Sequence, residues 1–114
     1  MKREIKFRAW DGKRLLYEKE VVITKTGVVT VGGYVNDCLM QYTGLKDMRG
    51  REIWEGDILK HDLWGVDQVV WDDLCACFRC KKEGESGHDI TLAHHQLKRT
   101  KVIGNIYEDE RLLQ

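Results

Sequence analysis

The chain has 114 residues, with 19 Lys and Arg against 19 Asp and Glu, four cysteines and no proline. That length suits a single domain, residues 1–114, and the balanced charge excludes an overall field able to recruit a polyanion or an anionic membrane. No apolar run reaches the ~20 residues of a membrane helix and no signal region follows Met1, so a cytoplasmic protein with reduced thiols is expected.

Residues 2–10 alternate, with Ile5, Phe7 and Ala9 on one face and Lys6, Arg8 and Trp10 on the other. Period two predicts a strand with one buried side. Asp11-Gly12 is a hairpin signal, after which 14–17 returns. Glu18-Lys19-Glu20 reads as a solvated loop or edge. Residues 21–24 and 28–35 are rich in β-branched side chains, and Lys25-Thr26-Gly27 between them marks a second hairpin. Gly32-Gly33 suggests a bulge.

The centre of the chain predicts two extended pieces, 39–43 and 57–61. Asp47 and Gly50 sit at the ends of a four-residue turn, where Asp accepts backbone N–H groups and Gly supplies positive φ. Gly44 and Gly56 bracket this segment and allow sharp bends, and Tyr42, Leu45, Ile53 and Trp54 anchor those bends on a core. A loop at 63–65 leads to a strand at 66–71, and Trp71-Asp72-Asp73 turns the chain into 74–79. Residues 81–88, charged and Gly-containing, are the expected mobile excursion. Residues 90–97 fit two periods equally. A last strand spans 101–107, and 108–113 fits a single helical turn. The class is mainly β, a small barrel-like or strongly bent antiparallel sheet with very little helix.

Three groups of residues could carry chemistry. Cys75, Cys77 and Cys80 with His88, His94 or His95 supply the donors of a tetrahedral zinc site. Only Ala76 separates the first two cysteines, whereas structural zinc sites favour wider pairs, so the favoured assignment is no metal and no cofactor, with core or inert thiols. His94 and His95, adjacent on a strand, point to opposite faces and cannot share one ion. The carboxylates Glu52, Glu55, Asp57, Asp62, Asp67, Asp72 and Asp73 could serve acid–base catalysis, yet Asp57 and Asp72-Asp73 are better explained as turn formers. Gly44 and Gly50 are one residue too far apart for a phosphate loop. Lys6, Arg8 and Trp10 interleave cations with an aromatic ring, as single-stranded nucleic acid requires. The plainer reading is an edge strand kept soluble by its charges. A second basic cluster, Lys98-Arg99-Lys101, is offset by Glu108, Asp109 and Glu110.

The central residues Met40-Gln41-Tyr42-Thr43-Gly44-Leu45-Lys46-Asp47, then Gly50, Glu52-Ile53 and Glu55-Gly56-Asp57-Ile58, resemble the signature of the YopX family of phage and prophage proteins. The opening Arg3-Glu4-Ile5-Lys6-Phe7-Arg8-Ala9-Trp10-Asp11 and the closing Val102-Ile103-Gly104-Asn105-Ile106-Tyr107-Glu108 match that family's two ends in order. Trp54 stands where the family usually has Tyr, and Met48-Arg49 fill turn positions that are usually Lys-Asn-like. The resemblance implies a mostly β fold and an origin in a mobile element. The family has no established activity, so it implies no site residues.

The sequence thus predicts a non-enzymatic interaction protein, its partner a macromolecule and more readily a protein than a nucleic acid. No membrane is expected, and unpaired strand edges allow a homo-oligomer. The alternatives are a nucleic-acid module using Lys6, Arg8 and Trp10, and a zinc protein or enzyme built on residues 75–95.

Overall fold

In the computed structural model the described residues are 4–25, 27–30, 33–34, 38–82, 90–92 and 96–113. The fold is mainly β, as the alternating pattern predicts, and contains a curled half-barrel of antiparallel strands. Contacts group the chain into two compact units, Met1–Tyr42 and Thr43–Gln114.

In the first unit, β1 (Phe7–Trp10) pairs antiparallel with β2 (Leu15–Leu16). The turn between them forms where expected: Asp11 Oδ1 accepts the N–H groups of Lys13 and Arg14, both at 2.8 Å. A 3₁₀ turn at Glu18–Glu20 leads into the hairpin of β3 (Val21–Thr24) and β4 (Gly27–Thr30), whose Thr24–Gly27 pair closes a two-residue loop. β5 (Gly33–Tyr34) adds a third strand to that hairpin. On its other side β1 pairs with the start of β6 (Leu39–Lys46), Phe7 lying opposite Gln41.

β1 is therefore an inner strand, not the expected edge. Arg8 and Ala9 are both buried, so neither face is solvated at its centre, while Ile5 of the expected buried face is exposed. An inner strand has neighbours on both sides, and alternation in sequence cannot show how many layers cover it.

The second unit takes in the end of β6 together with β7 (Glu52–Trp54), β8 (Asp57–His61), β9 (Gly65–Asp72), β10 (Cys77–Lys81), β11 (Ile90–Thr91) and β12 (Thr100–Asn105). Five of these form one antiparallel sheet in the order β11-β10-β9-β8-β12. Ile53, Leu59, Val69, Cys80, Leu92 and Val102 make its core. Burying each of the larger aliphatic side chains contributes about 1.5–3 kcal/mol.

The register explains the selection: Leu59 lies opposite both Asp67 and Val102, and Val69 opposite Cys80. One face of each strand thus points inward. Gly44 and Gly56 both adopt positive φ, at 87° and 86°, as their bends require. The register of β12 against β8 shifts between Val102 and Gly104. The tail closes in a 3₁₀ turn, Glu110–Leu113, which matches the helical turn expected there.

Two expectations change. β10 begins at Cys77 and not at residue 74, because Asp72 Oδ1 accepts the N–H groups of Leu74 and Cys75 and folds that segment into a turn. Residues 90–97 hold the short β11 and the start of a 3₁₀ turn at Leu97–Arg99. The expected excursion at 81–88 and the bulge at Gly32-Gly33 fall largely outside the described residues.

Candidate functional site

Asp47 ends β6 and ties two distant segments together. Its Oδ1 accepts the N–H groups of Arg49 at 2.8 Å and Arg51 at 2.9 Å, and its Oδ2 accepts that of Val102 at 2.9 Å. Gly50 N donates to Asp47 O, with Gly50 at φ 80°, which is the predicted four-residue turn. Burial alone would raise the Asp47 carboxyl, but the N–H groups of Val102, Arg51 and Arg49 outweigh it and hold it below the ordinary value. Met48 N also donates to Thr100 O at 2.9 Å, fastening the turn to the start of β12.

His61, at the end of β8, lies directly opposite Thr100. Its Nδ1 accepts the N–H groups of Leu63 at 3.0 Å and Trp64 at 3.2 Å, and its Nε2 lies 3.3 Å from Gln96 Oε1. An imidazole whose Nδ1 accepts twice carries its hydrogen on Nε2, which donates to Gln96. This ring is a staple for the β8–β9 loop. The Trp64 indole stacks on it, with centroids 4.0 Å apart and planes 8° apart, and the indole remains 37% exposed. Lys82 Nζ donates to Trp64 O and pairs with Asp67.

Thr100 is thus the hub at which the Asp47 turn, the end of β8 and the 3₁₀ turn Leu97–Arg99 meet. On these segments Arg49, Arg51, Lys60 and Lys98 are exposed and Lys101 is half-buried, and the Arg51 charge helps hold the Asp47 carboxyl down. Lys60 and Lys101 lie opposite each other on adjacent strands. Like charges in that position oppose folding. Arg99 pairs with Asp62 at 3.3 Å.

The acids expected to offset Lys98, Arg99 and Lys101 lie elsewhere. Glu108 and Asp109 bond Asn105, at the far end of β12. Five strand residues separate the two ends by roughly 17 Å. That exceeds the ~8 Å over which salt screens charge under physiological conditions. Charges that balance in sequence are segregated in space.

The residues singled out earlier for nucleic acid do not share an exposed face. Lys6 pairs with Glu4 at 2.6 Å and sits over the Tyr42 ring at 4.7 Å, and Arg8 is 3% exposed. Trp10 is half-buried, its main chain bonded to Cys38. The cysteines also separate. Cys80 lies in the apolar core, Cys77 opens β10, and Cys75 occupies the exposed turn.

Asp72 accepts a hydrogen bond from the Cys75 thiol and, with its charge, pushes that thiol up, which keeps it protonated and a poor ligand. His88, His94 and His95 fall outside the described residues. Asp57 proves to be a turn former, its Oδ2 accepting Trp54 N at 2.8 Å.

His61 and Trp64 were missed as candidates. Their signal was Leu63-Trp64 at a hairpin tip, where large apolar side chains are unusual unless something docks or stacks there.

Among solved structures, protein EF1440 from Enterococcus faecalis matches with a TM-score of 0.67 and 25% identity, over 99% of this chain and 100% of that one. Protein YopX from Bacillus subtilis matches with a TM-score of 0.65 and 21% identity, over 96% of this chain and 98% of that one. No curated protein matches the chain. The family model described as YopX protein matches residues 16–114, which include the Asp47 turn, His61, Trp64 and β12, and the chain belongs to that family.

Proposed function

We propose that this chain is a non-enzymatic binding protein of a bacterial mobile element, with residues 1–114 acting as one functional domain in the cytoplasm. What carries the reading is how its reactive side chains are spent. Asp47, Asp57, Asp72 and His61 each accept main-chain N–H groups that shape a turn. A general base must instead keep its lone pair for a substrate proton. A surface hollow of about 340 Å³ in the first unit is lined by Ile5, Lys6, Phe7, Val21 and Ile23, a set without an acid–base pair.

Immobilised protein exposed to a bacterial lysate should retain a macromolecule in a fixed ratio that survives washing. Recovery of nothing above a mock column, or turnover of any small substrate in a broad activity screen, would count against a binding role.

A further inference from the structure

We propose that the β8–β9 loop is an acid-released arm: a proton taken up by His61 at Nδ1 frees Leu63 and Trp64 from the imidazole. The device is separate from the binding role proposed above and does not depend on it.

The buried ring is committed on both of its nitrogens. Nδ1 accepts the N–H groups of Leu63 and Trp64, at 3.0 and 3.2 Å, and Nε2 donates to Gln96 Oε1 at 3.3 Å. Only Nδ1 can take up a further proton, and it then becomes a donor facing two donors. The closed loop and an imidazolium therefore exclude each other. An indole face does attract an imidazolium, but two lost hydrogen bonds outweigh that attraction.

Release is confined to one side. Nε2 donates to Gln96 in either state, and Thr100 Oγ1 bonds Gln96 O at 3.1 Å, so the side toward the 3₁₀ turn keeps its bonds. The tip adds little burial of its own, with Leu63 70% and Trp64 37% exposed. Segments with few buried contacts are the ones that open locally.

The charged groups on the surrounding elements keep their charge while the ring changes. Asp62 of the loop pairs with Arg99 of the 3₁₀ turn at 3.3 Å, and Asp67 of β9 pairs with Lys82, beyond β10, at 3.2 Å. Lys82 also donates to Trp64 O, and Lys98 is exposed on the 3₁₀ turn. Lys60 and Lys101 stand one residue from His61 and Thr100 and so project from the opposite face of the sheet. Carboxylates and ammonium groups do not titrate in the imidazole range. Protons bind the open loop and not the closed one, so closure weakens about tenfold for each pH unit below that range.

The test is nuclear magnetic resonance on the full chain, titrated from about pH 8 to 5. Imidazole nitrogen signals report protonation of His61. Amide protection factors, corrected for the intrinsic pH dependence of exchange, report opening. Protection of the Leu63 and Trp64 amides should fall about tenfold or more, in step with His61 protonation. The Trp64 indole signal should shift with it, and amides of β9 and β10 should keep their protection. His61→Asn puts an oxygen where Nδ1 stood, an acceptor that takes no proton, so both loop amides should stay protected throughout. His88, His94 and His95 carry the other imidazoles of the chain, and this variant separates their effect.

A protonated His61 with both loop amides still protected would overturn the proposal. So would a ring that stays neutral down to about pH 5, or equal loss of protection across β9 and β10, which marks global unfolding. Loop opening that persists in a folded His61→Asn chain would also overturn it. Should circular dichroism show that variant unfolded, the wild-type titration decides alone.

Discussion

A carboxylate that accepts main-chain N–H groups from its own turn and from Val102, 55 residues away, does more than form a turn. Asp47 supplies Val102 with a partner in a buried setting, where an unmet donor is costly. Asp47→Ala should therefore lower stability by about 3 kcal/mol, read from urea midpoints. The sign with pH follows from its depressed folded value. The stabilisation is complete above the ordinary ~3.9 of an unfolded Asp and is lost as pH falls through the lower folded value. Below about pH 4 the gap between the wild-type chain and the variant should narrow, and an unchanged gap at about pH 2 would show that the charge is not involved.

Gly104 offers a steric counterpart. A Cβ there would stand 2.5 Å from Asp109 Oδ2 and 2.8 Å from its Cβ. Gly104→Ala should cost about 1–3 kcal/mol by overpacking. Part of that cost should vanish in an Asp109→Gly background, as a double-mutant cycle would reveal.

Elements set where the chain is open to association. β3 ends its three-stranded sheet and presents Val22 at 59% and Ile23 at 52% exposure, without a charge or proline along its length. Such an edge is a template for another strand. Concentration-dependent self-association in sedimentation velocity is expected, and Ile23→Lys should suppress it. A wild-type chain that stays monomeric at high concentration would remove this expectation.

The β9–β10 hairpin shows a different use of an element. Its turn separates Cys75 from the strand while the register with Val69 carries Cys80 inward, so three thiols close in sequence end up in three surroundings. The turns themselves were legible in advance. Asp11-Gly12 and the Asp47–Gly50 turn depend on φ and on bonds within a few residues, and each formed where the sequence placed it. Burial was less legible. Arg8 alternates with apolar neighbours like a surface cation, and only pairing with β2 on one side and β6 on the other makes β1 an inner strand.

At the scale of the whole molecule, the balance of 19 cations and 19 anions described a sum and hid a distribution. Acids near the basic tail segment in sequence are drawn to Asn105 by its side chain and main chain, while Lys60 and the Asp47 turn join the other end of β12. The family resemblance was confirmed by the match over residues 16–114, which takes in the central and closing motifs. By itself the sequence determined the family, the mainly β class and the local turns, because these follow from residue identity and from interactions spanning a handful of positions. Tertiary structure alone decided which strand residues become neighbours, that Trp64 is stacked and half-open, that Asp47 reaches Val102, and that His61 is committed to main chain. Those outcomes depend on strand partners tens of residues apart, and period-two alternation is the same whichever partner a strand takes.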